Sequence, residues 1–138
     1  TPIDPLLSDS RLPPLRRADL VILDPDCSSL GRLGHSPEIR LWATPDLVGK
    51  YARLQRELLR AAARVLRRGG RLVYSTCTLT LEENEENVKW AMDELGLEPL
   101  DAEPRVGLPG LLGLWQAQRL YPHTHDTQGF FACVLAKV

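Results

Sequence analysis

Cysteine is scarce in this sequence, with three residues in 138, and no two of them form a CxxC pair. The spacing therefore predicts neither a zinc site nor a disulfide framework. We expect His123 and His125 to be loop residues rather than metal ligands. Cysteines that stand apart are typical of a reducing compartment, so we expect a cytoplasmic protein. No apolar run approaches the roughly 20 residues that a membrane helix needs, and we expect no membrane partner.

Positive charge is not in excess either. The chain carries 17 lysine and arginine residues against 18 acidic residues, which gives a formal net charge of −1. The strongly basic composition that marks many nucleic-acid-binding domains is therefore missing. What the composition does contain, 43% hydrophobic and 25% charged residues, is typical of one globular domain and excludes a disordered chain.

The first half of the chain shows a strand, a helix and a second strand. Residues 19–24 form a short apolar run that ends in an acid, which is typical of a buried parallel strand, and residues 71–76 form another. Between them, apolar residues at helical spacing predict a helix over 45–68, with Thr44 as its cap. Gly69-Gly70 is predicted to end that helix.

The second half continues the alternation. Thr80 and Glu83 have the spacing of a capping box, which predicts a helix over 80–96. A short strand is expected at 97–100, an irregular segment follows, and a last strand is expected at 129–137. The pattern predicts an α/β fold whose sheet is mostly parallel, with a final antiparallel strand.

Candidate chemical groups lie where the first two strands end. Asp24 and Cys27 follow the first strand, and Cys77 follows the second, so adjacent parallel strands would bring them to one rim, where such sheets bind ligands. An acid that closes an apolar run is costly unless it is paired or functional. Cys133, in contrast, lies inside an apolar strand and is expected to be a core residue.

Two thiols and a carboxylate at one rim suggest covalent catalysis. A thiolate that adds to carbon 6 of cytosine turns carbon 5 into a nucleophile that can accept a methyl group. An acid held at ring nitrogen 3 would stabilise the charge that develops. Because the base must leave its stack to be reached, unpaired or flipped nucleotides are the expected targets.

Four segments, in this order across nearly the whole chain, carry a family resemblance: 23–31, 55–78, 82–85 and 119–132. They resemble the Sun/nucleolar-antigen family of S-adenosylmethionine-dependent RNA (cytosine-5) methyltransferases, which act on rRNA or tRNA. The resemblance implies a Rossmann-like methyltransferase fold, S-adenosyl-L-methionine as cofactor and RNA as partner.

The same resemblance assigns roles to individual residues. Cys77 would be the nucleophile, and Cys27 would assist release of the methylated product. Asp24 would contact the target base and lie near the methyl donor, and Asp9 resembles the family's acid that faces the adenine of the cofactor.

Further residues within the matched segments are expected to contact the substrate: Pro25, Ser28, Thr76 and Phe130.

The sequence departs from the family pattern in two places. Asp26 stands where the family usually has proline before the cysteine that Cys27 matches, which puts the release role of Cys27 in question. In addition, no glycine-rich cofactor loop follows a first strand. We therefore expect residues 1–138 to be the C-terminal part of a catalytic domain, which needs the N-terminal half of that domain as a partner and is inactive alone.

Two other functions remain open from the sequence. An amino-group methyltransferase acting on adenine or glutamine would also carry an acid and a proline at this strand end, but it needs an aromatic residue where Cys27 stands. A truncated or degenerate domain that serves as a non-catalytic RNA or protein binding module would fit the near-neutral charge and the missing cofactor loop.

Overall fold

A computed structural model describes residues 3–138. Its strands are β1 (Ala18–Leu23), β2 (Leu66–Thr76), β3 (Leu97–Leu100), β4 (Leu108–Pro109), β5 (Gln118–Leu120) and β6 (Phe130–Lys137). Its α-helices are α1 (Pro45–Val65), α2 (Glu85–Leu95) and the short α3 (Pro122–His125), and two 3₁₀ helices occupy Leu30–Arg32 and Pro37–Leu41. None of the helices in this part of the chain is both long and apolar enough to cross a membrane.

The strands form one mixed sheet in the order β1-β2-β6-β5-β4, and β3 also pairs with β6. This confirms the α/β class and the final antiparallel strand. The prediction of a mostly parallel sheet is wrong: β1 and β2 are parallel, whereas the other pairs of the described sheet are antiparallel. Parallel neighbours need a long crossover. Helix α1 supplies one between β1 and β2, while β6 runs back between β2 on one side and β3 and β5 on the other.

Helix α1 begins as predicted and ends early. The Thr44 hydroxyl accepts the Leu47 backbone N–H at 3.2 Å, so the predicted cap is confirmed. The helix ends at Val65 rather than Arg68, and Gly69-Gly70 lies within β2 instead of terminating the helix. Its last carbonyls are bound by the Lys137 ammonium, and a cation at this position replaces the glycine cap.

The predicted capping box does not form. The Thr80 hydroxyl donates to the Glu83 carboxylate at 2.8 Å, residues 81–84 form turns, and α2 starts at Glu85. Gly96 ends α2 in a left-handed conformation, with φ of 62°, as predicted. The predicted strand at 97–100 is also present, while the segment predicted to be irregular contains β4, β5 and α3.

Helices α1 and α2 pack on the sheet, and the core lies between them. Its largest fully buried apolar side chains come from both helices and from β2, β3 and β6: Leu59, Leu66, Leu72, Tyr74, Val88, Leu97, Phe131 and Leu135. Strand β1 lies at the edge of the sheet, and Leu20 and Ile22 on it are 56% and 70% exposed. The centre of the sheet is therefore rigidly packed, whereas the edge beside the site is open.

A buried ion pair fixes the C-terminal strands against the start of α2. Both side chains are almost fully buried, and the Arg119 guanidinium binds the Glu85 carboxylate through two hydrogen bonds of 2.5 Å. Arg119 also donates to the Leu79 carbonyl, and Glu85 accepts the Leu111 backbone N–H. The pair thus joins the segment after Cys77 to the loop before β5.

Removing one partner of this pair should cost much stability. Arg119→Ala leaves the Glu85 carboxylate buried without its cation, so we expect the free energy of unfolding to fall by about 3–5 kcal/mol. Urea unfolding followed by circular dichroism measures the change. Arg105→Ala is the matched control, because its partner Asp101 is exposed, and it should cost less than about 1 kcal/mol. Equal small losses in both variants would contradict this role of the buried pair.

Candidate active site

The structure brings the three predicted catalytic residues together at the rim of the sheet. The loop after β1 turns over the end of β2, and the sulfur atoms of Cys27 and Cys77 lie 3.2 Å apart. Asp24, which is exposed, accepts a hydrogen bond of 3.1 Å from the Ser75 hydroxyl. Cys27 is buried and Cys77 is half-buried. Cys77, the predicted nucleophile, is therefore the more accessible of the two thiols.

Two glycines allow the loop to approach Cys77. The Gly31 N–H donates to the Cys77 carbonyl at 3.0 Å, and the Gly31 carbonyl accepts the Gly129 N–H at 2.8 Å. A Cβ atom on Gly31 would collide with the Gly129 carbonyl oxygen and lie 2.7 Å from the Cys77 carbonyl oxygen. Only glycine fits between these two backbones without moving them. The end of β2, the loop and the start of β6 are thereby tied together.

A buried carboxylate holds the loop from below. Glu83 is fully buried, and its side chain accepts four hydrogen bonds. One oxygen accepts the Ser28 backbone N–H at 2.9 Å and the Gln55 amide at 3.0 Å. The other accepts the hydroxyls of Ser28 at 2.5 Å and Thr80 at 2.8 Å. Within residues 3–138 no cation forms an ion pair with Glu83, so these neutral donors replace its hydration.

Two amide side chains extend this network to both sides of the thiols. The Gln55 amide donates to the Asp26 carbonyl at 3.0 Å, directly before Cys27. The Thr76 hydroxyl donates to the Asn84 side-chain oxygen at 2.5 Å, and the Asn84 amide donates to the Thr78 carbonyl at 3.0 Å. One buried asparagine thus binds the Thr76 side chain on one side of Cys77 and the Thr78 backbone on the other.

Sequence reasoning missed three members of this network: Gln55, Glu83 and Asn84. All three lie within the segments 55–78 and 82–85 that carry the family resemblance, which was the available sign of a role. Glu83 was interpreted as half of a capping box, because the spacing from Thr80 fits that motif equally well.

The environment of the two thiols lowers the pKa of one and raises that of the other. The pKa of Cys77 falls from 9.0 to about 6, chiefly because the Cys27 thiol donates a hydrogen bond to its thiolate. Partial burial opposes this shift, while the Ser29 hydroxyl, 3.6 Å from the Cys77 sulfur, and the positive charge of Arg32 support it. The pKa of Cys27 is raised far above its usual value by that same hydrogen bond and by burial. The hydrogen bond between the sulfur atoms thus favours ionisation of Cys77 over that of Cys27.

The residues predicted to contact the substrate divide into two groups. Ser28 and Thr76 lie beneath the site, almost fully buried, and their hydroxyls bond within the protein. Pro25 and Phe130 are partly exposed. The first two therefore position the loop and the end of β2, while the second two have surface available to a ligand.

Asp9, the predicted cofactor residue, is exposed and bound to its own neighbour. Both of its carboxylate oxygens accept hydrogen bonds from the Arg11 guanidinium, and one also accepts the Arg11 backbone N–H. These bonds hold the pKa of Asp9 at about 2. An adenine amino group could reach this carboxylate only by taking the place of Arg11.

The pKa difference between the thiols is testable by alkylation. In the native protein we expect the rate of Cys77 modification by iodoacetamide to rise with pH about a midpoint near 6, since the thiolate is the reactive form. Cys27→Ala removes the donor and should move the midpoint upward. Mass spectrometry of peptides identifies the modified site. Cys133, buried and with its pKa raised to about 12, is an internal control that should stay unmodified. An unchanged midpoint in Cys27→Ala would contradict the assigned proton arrangement.

Known proteins share both the sequence and the geometry. The family model described as 16S rRNA methyltransferase RsmB/F matches residues 6–136. A tRNA (cytosine(72)-C(5))-methyltransferase of Pyrococcus horikoshii is 45% identical over 124 residues, which cover 88% of this chain and 30% of the relative. Ribosomal RNA small subunit methyltransferase F of Cronobacter sakazakii is 37% identical over 129 residues, which cover 86% of this chain and 25% of the relative.

The fold agrees with a solved structure of the same group. The crystal structure of NSun6 from Pyrococcus horikoshii with SFG superposes with a TM-score of 0.87 at 44% identity, and the match covers 96% of this chain and 34% of that one. The chain thus spans between a quarter and about a third of the length of these relatives. By sequence and by fold, it belongs to the RsmB/F family of S-adenosylmethionine-dependent RNA (cytosine-5) methyltransferases, the Sun family that its motifs predicted.

Proposed function

We propose that this chain supplies the catalytic cysteines of an RNA (cytosine-5) methyltransferase, with Cys77 as the nucleophile that forms a covalent adduct with carbon 6 of a cytosine in rRNA or tRNA. The observation that carries the proposal is the 3.2 Å contact between the two sulfur atoms, which lowers the pKa of Cys77 and so favours its thiolate. A preformed thiolate needs no separate base for its activation.

Asp24 is positioned to act on the other side of the target ring. Its carboxyl group is exposed at the rim and oriented by the Ser75 hydroxyl, on the residue two positions before Cys77. In its protonated form this carboxyl group can donate a hydrogen bond to ring nitrogen 3 and so stabilise the negative charge that the ring gains when the thiolate adds. Pro25 and Phe130, both partly exposed, would complete the contacts to the base.

The two cysteines would act in turn. In the resting state the largest cause of the raised pKa of Cys27 is its hydrogen bond to Cys77. When Cys77 becomes a thioether to carbon 6, its charge is lost and that cause disappears, so Cys27 can give its proton to solvent. The Cys27 thiolate can then take the carbon 5 proton after methyl transfer, and the Cys77 thiolate leaves as the ring double bond re-forms.

S-adenosylmethionine would supply the methyl group. The relative of known structure was crystallised with SFG, an analogue of that cofactor. In this chain the residues that could meet it are Asp24, on the open edge of the sheet, and Asp9 if Arg11 releases it. This is one wall of a site, because the described residues here offer no glycine-rich loop. We therefore propose that residues 1–138 act as the C-terminal part of a larger catalytic domain, in the cytoplasm.

The covalent step can be trapped with RNA that contains 5-azacytidine, which blocks the release step. The full-length protein should form an adduct that survives denaturing electrophoresis. Cys77→Ala should abolish it, because no thiolate remains to add to carbon 6. Cys27→Ala should retain it, because Cys77 can still add to carbon 6, but the adduct should form more slowly because the pKa of Cys77 rises without the Cys27 hydrogen bond. Cys133→Ala, a small change in the core of β6, is the control and should behave as the wild type.

Two results would contradict these roles. An adduct that persists in Cys77→Ala and vanishes in Cys27→Ala would show that Cys27 is the nucleophile and that the two roles are reversed. No adduct in any variant, with normal RNA binding, would favour a non-catalytic binding module.

The isolated chain should bind the cofactor poorly. With β1 unpaired on one side and Asp9 held by Arg11, few groups are free to contact S-adenosylmethionine. Isothermal titration of S-adenosylmethionine into residues 1–138 should show no micromolar binding, whereas the full-length protein should bind. Micromolar affinity in the isolated chain would disprove this division of the site.

A further inference from the structure

A pocket of about 260 Å³ opens beside the cysteine pair, and of the proposed catalytic residues only Cys27 lines it. Cys27 and Ser29 form one wall, and Arg32, Trp42 and Tyr51 contribute to the others. The Ser29 hydroxyl lies 3.6 Å from the Cys77 sulfur, so one wall of the pocket is in direct contact with the proposed nucleophile. Neither Asp24 nor Cys77 lines it, however. A base that reacts at Cys77 and contacts Asp24 therefore meets this pocket only at Cys27, and the part lined by Arg32, Trp42 and Tyr51 stays free.

The lining of the pocket suits a nucleobase with its phosphate. Trp42 is 51% exposed and Tyr51 is half-buried, and flat aromatic rings of this kind stack on bases. Arg32 is exposed, and no ion pair of residues 3–138 engages it, which leaves its guanidinium available to a phosphate. Glu38 also lines the pocket and can accept a hydrogen bond from an exocyclic amino group. The volume is below that of pockets for larger ligands, which begin at about 300 Å³.

A second cavity continues from the first along α1. It measures about 440 Å³ and shares Leu47 and Tyr51 with the pocket. Lys50 and Arg53 line it as exposed cations outside the ion pairs of the described residues, whereas its third cation, Arg11, is occupied by Asp9. Glu57 also lines the cavity and lies 3.8 Å from Arg11, so the lining carries three cations and one carboxylate.

We propose that the pocket holds the base next to the target cytosine in the RNA, stacked on Trp42, and that Lys50 and Arg53 meet the phosphates beyond it. The proposal rests on the proposed function, since it defines the neighbour by the cytosine that Cys77 attacks. It also explains how the target base is presented. Extruding one base breaks its stacking on the next, and an aromatic ring that receives the neighbour replaces that contact.

The decisive experiment couples a change in the RNA to a change in the protein. The probe is an oligoadenylate with one central cytosine, and fluorescence anisotropy measures its dissociation constant from the full-length protein. Two further probes carry an abasic site immediately 5′ or immediately 3′ of the cytosine. With the wild type, one of them should bind roughly 5- to 100-fold more weakly, the cost of one lost stacked base.

In Trp42→Ala the intact probe should weaken by a similar factor, and the same abasic site should then have no further effect. Trp115→Ala, a tryptophan that is 68% exposed in the loop before β5, is the matched control and should leave both affinities unchanged. The proposal would be overturned if the abasic sites weakened binding to Trp42→Ala as strongly as they weaken binding to the wild type. It would also be overturned if neither abasic site weakened binding to the wild type, or if the wild type showed no measurable binding of the intact probe.

The salt dependence of RNA binding tests the proposed phosphate contacts of Lys50 and Arg53. The double variant Lys50→Ala with Arg53→Ala should reduce the slope of log affinity against log salt by about 1.4, because each phosphate contact to a single strand contributes roughly 0.7. The same alanine exchange at Lys89 and Arg105, on other surfaces, should leave the slope unchanged. Equal slopes in both double variants would refute the phosphate contacts of Lys50 and Arg53.

The affinity measurements need no covalent step. If the 5-azacytidine adduct does not form but Trp42→Ala still abolishes the abasic effect, the proposed reaction is wrong. If the adduct forms normally but Trp42→Ala leaves the abasic effect unchanged, the proposed role of the pocket is wrong.

Discussion

The structure of the site depends on one buried carboxylate that has no cation among the described residues. Removing Glu83 from water is costly, and four hydrogen bonds from neutral groups compensate for it. Two of those bonds come from Ser28, directly after Cys27. The loop can therefore leave its position only by removing two of the four hydrogen-bond donors from the buried carboxylate. This constraint fixes Cys27 against the end of β2, and the contact between the two sulfur atoms follows from it.

The proton arrangement of the two thiols is a consequence of that fixed distance. Two thiols at 3.2 Å share one proton, because the negative charge of the first thiolate opposes ionisation of the second. Ser29 and Arg32 favour the charge on Cys77, which is also the more exposed sulfur. A resting enzyme built in this way would keep its nucleophile charged and its release group protonated. The order of the two steps would then come from electrostatics rather than from movement of the chain.

The sequence was informative where a local pattern has one physical interpretation. Apolar runs ending at Asp24 and before Cys77 predicted β1 and β2, because few other structures bury such runs, and parallel pairing placed both ends at one rim. Patterns with two interpretations failed. The spacing of Thr80 and Glu83 fits a capping box and a buried bridge equally well, and only the partner Ser28, distant in sequence, decides between them. Gly69-Gly70 can end a helix or lie in a strand. Because Lys137, at the far end of the chain, binds the last carbonyls of α1, the helix needs no glycine cap. The antiparallel pairing of β3 with β6, which the prediction of a mostly parallel sheet missed, likewise depends on contact between distant segments.

The departure at Asp26 can now be judged in physical terms. The family's usual proline would stiffen the loop before the release cysteine, and an acid there could also disfavour a neighbouring thiolate. The backbone at this position is held instead by the Gln55 amide, which binds the Asp26 carbonyl at 3.0 Å. The Asp26 side chain is exposed, and it is not among the groups that shift the pKa of either thiol. The network around Glu83 thus supplies the rigidity that proline would give, and water screens the added charge. For this reason the substitution is compatible with the release role proposed for Cys27.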